Sequence, residues 1–185
     1  MIDKEKFKSL LSFLKFEEEG HVFSKHFPFS DCFLKVDFDK SKIIYPEKLK
    51  VWGDFTTNLS SSENLVVFEC VHRLLSKDYK PEHIELEPKW ELGHGASGGR
   101  ADILVYNQAG KPLLFIECKT MGKEFGKEWK EMQNDGGQLF TYAQQEPAIE
   151  FLCLYASNFD EDAFQIIDEQ QIISHKDNKD ILVVL

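Results

Sequence analysis

Asp102, Glu117 and Lys119 are the residues whose types and spacing could do chemistry together. Glu117 and Lys119 lie two apart in and just past the apolar run Leu113 to Cys118. Side chains alternate along a strand, so they share one face with Phe115 while Leu114, Ile116 and Cys118 occupy the other. A second apolar run, Ile103 to Tyr106, precedes it. The Asn107-Gln108-Ala109-Gly110-Lys111-Pro112 segment between the runs has the composition of a tight turn. The whole reads as an antiparallel hairpin, which brings Asp102, at the start of the first strand, beside Glu117 and Lys119 at the end of the second. Two carboxylates and an ammonium are costly to desolvate unless something neutralises them, and a divalent cation would do so. The alternative is a structural ion-pair cluster at a sheet end.

Several elements must hold this hairpin. Ser62 is a plausible N-cap for a helix from Glu63 to about Lys77, with Val67, Val71 and Leu74 as its apolar stripe and Glu69 on the more polar side with His72, Arg73 and Ser76. Ile84 to Trp90 alternates as a first sheet strand. Lys123 to Asn134 reads as a polar helix carrying Phe125, Trp129 and Met132 on one side. Asp135-Gly136-Gly137 breaks it, and a second helix, 138 to 145, ends at Pro147 and puts Gln138 and Tyr142 on one face. Ile149 to Ala156 suits a central strand, with weak strands at 163 to 167 and 171 to 173 and a strong strand pattern at Ile181 to Leu185. Gly93 to Gly98 satisfies G-x-G-x-x-G, but the glycines run into a strand and no helix intervenes before Glu117. A flexible loop beside the hairpin is expected instead of a dinucleotide site. Upstream, residues 3 to 16 form an amphipathic helix stopped by Glu17-Glu18-Glu19-Gly20. Cys32 to Phe38 and Lys42 to Tyr45 then make a small hairpin, with Phe29, Phe33 and Trp52 as its expected core contacts.

Asp102 followed by Glu117-x-Lys119 on a neighbouring strand resembles the PD-(D/E)XK nuclease superfamily, with Ala101 where a Pro usually stands. The wider stretch, Gly99 to Tyr106, Ile116 to Lys119 and Asp135 to Tyr142, is similar to the N-terminal nuclease domain of type I restriction enzyme R subunits and their methylase-fused relatives. Gln138-x-x-x-Tyr142 is the element that separates that branch. The resemblance implies an α/β fold, a restriction-endonuclease-like mixed sheet flanked by helices. The similarity covers roughly residues 63 to 160, and the nuclease domain it implies runs from 58 to 185, with residues 1 to 57 as an N-terminal helix and β-hairpin appendage. It also implies a Mg-dependent endodeoxyribonuclease of a restriction-modification system, hydrolysing phosphodiester bonds.

In that picture Asp102, Glu117 and the backbone carbonyl of Cys118 hold Mg²⁺, with Mn²⁺ able to substitute, and Glu69 joins through a water. Lys119 orients or deprotonates the attacking water, and Gln138 and Tyr142 line the DNA cleft. The partners implied are double-stranded DNA and either methylase and specificity subunits or fused methylase and helicase domains, with ATP entering only through those other domains. Alternatives stand beside these roles. Glu69 could be a solvated surface residue paired with Arg73, Tyr142 could pack on the sheet while Gln138 caps its helix, and the whole could be a catalytically inactive docking or DNA-guiding module that keeps the nuclease fold.

Composition bounds the picture. At 185 residues, 42% hydrophobic and 29% charged, the chain suits one globular domain, and its sixteen Phe are expected in the core. No apolar run is long enough to cross a bilayer and the first residues lack a signal peptide's apolar region, so a cytoplasmic protein is expected. Cys32, Cys70, Cys118 and Cys153 have no metal-ligand spacing and read as reduced core residues. The net charge of −10 argues against tight DNA binding by the chain alone, although seven of the acids, against two Lys, lie between 157 and 180. The apolar terminal run suggests an N-terminal fragment of a longer protein.

Overall fold

A computed structural model of the chain describes residues 4–88 and 101–175. The Gly93 to Gly98 loop, the end of the strand expected to reach Trp90, and the strand expected at 181 to 185 lie outside the described residues.

The first helix, α1 (Lys4–Phe13), buries Phe7, Leu10 and Leu11, as its 3.6-residue spacing requires. A four-stranded antiparallel sheet follows in chain order: β1 (Glu17–Glu19), β2 (Val22–Phe27), β3 (Cys32–Asp37) and β4 (Lys42–Ile44). This is larger than the expected hairpin. The acidic run read as a helix stop is β1. The alternation of β2 was hidden because Lys25 points inward with Phe23 and Phe27. Its ammonium donates to the Leu14 carbonyl at 2.7 Å and to His72 at 2.8 Å.

The expected core contacts are also corrected. Phe29, Phe33 and Trp52 are 61%, 48% and 41% exposed, whereas Phe23, Phe27, Leu34, Val36 and Ile43 form the inner face. Strand parity decides it: Leu34 and Val36 face in, so Phe33 faces out and stacks on His26.

The large sheet has six strands in the order β10-β9-β8-β7-β6-β5. These are β5 (Lys50–Val51), β6 (Ile84–Leu86), β7 (Ile103–Tyr106), β8 (Pro112–Thr120), β9 (Phe151–Asp160) and β10 (Gln165–Ser174). β8 pairs parallel with β9 and β5 with β6, and the remaining pairs are antiparallel, a restriction-endonuclease-like mixed sheet. The two weak strands expected near the end are the single strand β10, paired along its whole length with β9.

Helix α2 (Ser62–Ser76) covers one face of the sheet, and α3 (Lys123–Asp135) with α4 (Gly137–Gln145) covers the other. The N-cap of α2 is Ser61, whose hydroxyl accepts the Glu63 N–H, and Ser62 is its first helical residue. Gly136, at φ +90°, makes the turn between α3 and α4, and a Cβ there would lie 2.9 Å from that of Phe140.

Strand alternation sorts the core into two layers. Ile103, Val105, Ile116 and Cys118 face α2, while Leu104 and Phe115 face α3 and α4. The small sheet has no core of its own. Phe7 meets Phe68 of α2 edge-on at 5.1 Å, one apolar cluster runs from α1 to β9, and residues 50 and 51 already belong to the large sheet. Among the described residues no helix is long and apolar enough to cross a membrane.

Candidate metal centre

The register of the β7–β8 hairpin builds the site. Ile103 pairs with Ile116 and Leu104 with Phe115, so the next step beyond the paired segment sets Asp102 against Glu117 on the face that carries Leu104 and Phe115. Asp102 is fixed there by the Cys118 N–H, which donates to Oδ2 at 2.7 Å. The N–H and C=O of one strand residue point to the same side, so the Cys118 carbonyl faces the same edge while its thiol packs on the opposite face near Cys70.

Helix α2 supplies the third carboxylate. It leads through a 3-10 turn at Pro81–His83 into β6, whose last residue, Leu86, pairs with Ile103, so the N-terminal end of α2 lies at the Asp102 end of the sheet. Glu63, in its first turn, reaches Lys119 Nζ at 3.0 Å. Glu63, Asp102 and Glu117 each offer one carboxylate oxygen, and these lie within 4.8 Å of one another.

Lys119 also donates to Glu117 Oε1 at 2.5 Å, but Glu117 Oε2, on a residue only 3% exposed, has no hydrogen-bond partner among the described residues. A buried carboxylate oxygen without a donor costs free energy on the order of 1–3 kcal/mol or more, and a cation on that oxygen would remove the penalty. The donor set, three carboxylates and a strand carbonyl, is the all-oxygen kind that hard divalent cations take.

The protonation equilibria reflect the same crowding. Burial pushes the Asp102 carboxyl up from 3.8 to about 7, against the pull of the Cys118 N–H and Lys119, with Glu63 and Glu87 adding to the rise. Burial raises Glu117 well above the carboxylate range as well, and the neighbouring Asp102 charge raises it further. For Lys119 burial works downward, but Glu117, Glu63 and Asp102 outweigh it and hold the ammonium above its ordinary value.

Glu69 does not join this group. A helical wheel gives a residue's azimuth but not its depth along the axis, and six residues at 1.5 Å rise put Glu69 about 9 Å below Glu63. It is neither at the site nor solvated. It is buried on the α2 side, where Tyr155 donates to one oxygen and Arg73 to the other at 3.3 Å, and Arg73 reaches on to Asp168 at 3.0 Å.

Tyr142 is buried edge-on to Phe115 at 6.4 Å, packed on the sheet. Burial raises its phenol, and the charges of Glu117 and Asp102 raise it further. Gln138 is exposed on a cavity of about 250 Å³ that is also lined by Glu63, Lys119, Lys127 and Glu128.

Glu128 was not anticipated. It is buried on α3, accepts the Gln138 N–H at 3.3 Å at the start of α4, and raises Glu117 further. Its wheel position, between the exposed lysines and the Phe125–Trp129–Met132 stripe, was the available signal.

The model of the type I restriction enzyme R protein N terminus matches residues 63–175. The chain belongs to that family. The match begins at Glu63 and contains Asp102, Glu117, Lys119, Gln138 and Tyr142, so every member of the cluster falls inside it, while α1 and the small sheet fall outside. Among curated proteins none matches the chain.

Proposed function

We propose that this restriction-enzyme R-type N-terminal domain is a metal-dependent endonuclease that hydrolyses phosphodiester bonds of double-stranded DNA within a restriction-modification assembly. Methylase and specificity subunits, or methylase and helicase domains fused to the chain, would supply recognition and any use of ATP. The observation that carries the proposal is the unpartnered, buried Glu117 oxygen beside Asp102 and Glu63. The clustered carboxylates would hold Mg²⁺, or Mn²⁺ in its place, with the Cys118 carbonyl on the same edge. A bound ion there supplies electrostatic stabilisation of charge developing on phosphate and a more acidic water.

The chain's own residues do the rest. The Cys118 N–H fixes Asp102, so the carboxylates are set before any ligand arrives. Lys119, held between Glu117 and Glu63, keeps its proton while they are bare. With those oxygens engaged by a cation, Lys119 would lose that support and could take a proton from water or steady phosphate charge. Tyr142 forms a fixed wall of the site and Gln138 its exposed rim.

The test is DNA nicking by the assembly carrying Lys119→Ala, together with a metal titration of the same variant. Cleavage should fall by orders of magnitude while metal binding survives or strengthens. Unimpaired cleavage would leave the ion-pair cluster as the better account.

A further inference from the structure

Helix α3 carries a charge pattern that the metal centre does not use. At about 100° per residue, Lys123, Lys127 and Lys130 fall within about 60° of one another, and Glu124, Glu128 and Glu131 form a second stripe about 100° round the helix. Like charges at i,i+4 and i,i+3 repel, so both stripes work against the isolated helix. Of the possible cross-links, Lys127–Glu131 is formed, long at 3.7 Å and exposed, whereas Lys123 and Lys130 have no ion pair among the described residues. The glutamate stripe and Lys127 line the same cavity, which also takes in Glu63 and Lys119.

Gly126 is a second, independent oddity. A glycine inside a helix costs stability relative to alanine, yet Gly126 does not have a positive φ, and a Cβ built on it meets nothing within 4 Å among the described residues. It flanks the lysine stripe on the side away from the glutamates. Neither backbone conformation nor packing requires glycine there. What its absent side chain leaves is bare helix backbone on the lysine face, a place where another backbone can come close.

We propose that Lys123, Lys127 and Lys130, with the bare backbone at Gly126, form the ridge on which the sugar-phosphate backbone of duplex DNA lies when its scissile phosphate reaches the Glu63–Asp102–Glu117 cluster. This rests on the nuclease reading above and adds the route by which the substrate is seated. The seven steps from Lys123 to Lys130 rise about 10 Å, the length of duplex axis over which one strand carries about three phosphates. The segregation follows: Glu128 is buried beside the carboxylate cluster while Lys123 and Lys130 stand exposed, where a polyanion can reach them. Three lysines neutralise few phosphates, which keeps the chain's intrinsic affinity low and leaves firm capture to the rest of an assembly.

The test measures duplex oligonucleotide binding by fluorescence anisotropy over a salt series from about 50 to 200 mM, for the chain, Lys123→Gln/Lys130→Gln and Gly126→Gln, with Mn²⁺ thermal shifts run in parallel. The double variant should bind several-fold more weakly, and its salt slope should drop by about 1.8, or 0.9 per lysine. Gly126→Gln should raise the melting temperature yet weaken duplex binding several-fold, a split that a merely structural glycine would not produce. Both should keep the parent's Mn²⁺ response. An unchanged slope in the double variant, or no duplex binding by the parent at the lowest salt, overturns the ridge. Loss of the parent's Mn²⁺ response with altered slopes would instead count against the metal centre and leave the ridge standing.

Discussion

Glu69 and Glu117 are both buried carboxylates held by a cation, one on each side of the large sheet, and they end differently. Both Glu69 oxygens are used, by Arg73 and by the Tyr155 hydroxyl. Glu117 has Lys119 on one oxygen and, among the described residues, nothing on the other. Glu69 ties α2 to β9 and, through Arg73 and Asp168, to the edge strand β10, so its network is complete as it stands. Around Glu117 three carboxylates share one ammonium that is itself over-supplied with negative charge. Burial alone therefore does not mark a functional acid. An unfilled valence among like charges is what makes Glu117, and not Glu69, the candidate.

The largest effect expected from this contrast is on cleavage. Asp102→Ala should abolish both nicking by the full assembly and metal-induced stabilisation, since it deletes an oxygen of the cluster and leaves the Cys118 N–H without its acceptor. Glu69→Gln should leave the metal midpoint where it was but lower stability by about 3 kcal/mol, the cost of breaking a buried ion pair, read from urea denaturation. A metal affinity that fell with Glu69→Gln would merge the two clusters and break the comparison.

A third expectation uses pH, with chelator present. The folded Asp102 carboxyl titrates at about 7 instead of 3.8, so it keeps its proton where the unfolded chain has lost it, and its contribution to stability is lost as pH rises from 3.8 towards 7. Relative to Asp102→Asn, the parent should lose stability over that window. His72 provides the opposite sign. Burial, then Lys25 and Arg73, lower it from 6.5 to about 3, so relative to His72→Gln the parent should lose stability as pH falls from 6.5 towards 3. Denaturant midpoints across pH 3 to 8 for the three proteins check both signs. Tyr142→Phe should do least, a change in cleavage of less than about tenfold, because the ring's packing on Phe115 survives and only the hydroxyl near the cluster is lost.

What could be seen in the sequence follows from which periodicities carry depth. A strand advances with strict alternation, so Asp102, Glu117 and Lys119 could be placed on one face and at one end from their spacing and the turn between them. A helix gives direction around its axis without saying which turn meets the sheet end, so nothing in its periodicity tells Glu69, which the resemblance implies, from Glu63. The α2-to-β6 return, with Pro81 soon after the helix end, held the missing information, because it sets the N-terminal turn at the Asp102 end. The small sheet was under-read because Lys25 is an inward-facing cation satisfied by a carbonyl and a histidine far away in sequence. Glu128 sits at the boundary of apolar and charged stripes, where helical position alone does not say whether a carboxylate is covered. Only α4 packing against α3 covers it.

The central claim is that the carboxylate cluster at the β7–β8 hairpin is incomplete without a cation. Calorimetric titration of Mn²⁺ into the chain, Glu117→Gln and Glu69→Gln tests it most directly. Saturable binding by the parent and by Glu69→Gln, with loss of that binding in Glu117→Gln, is the predicted result. No binding by the parent, or equal binding by Glu117→Gln, would contradict it.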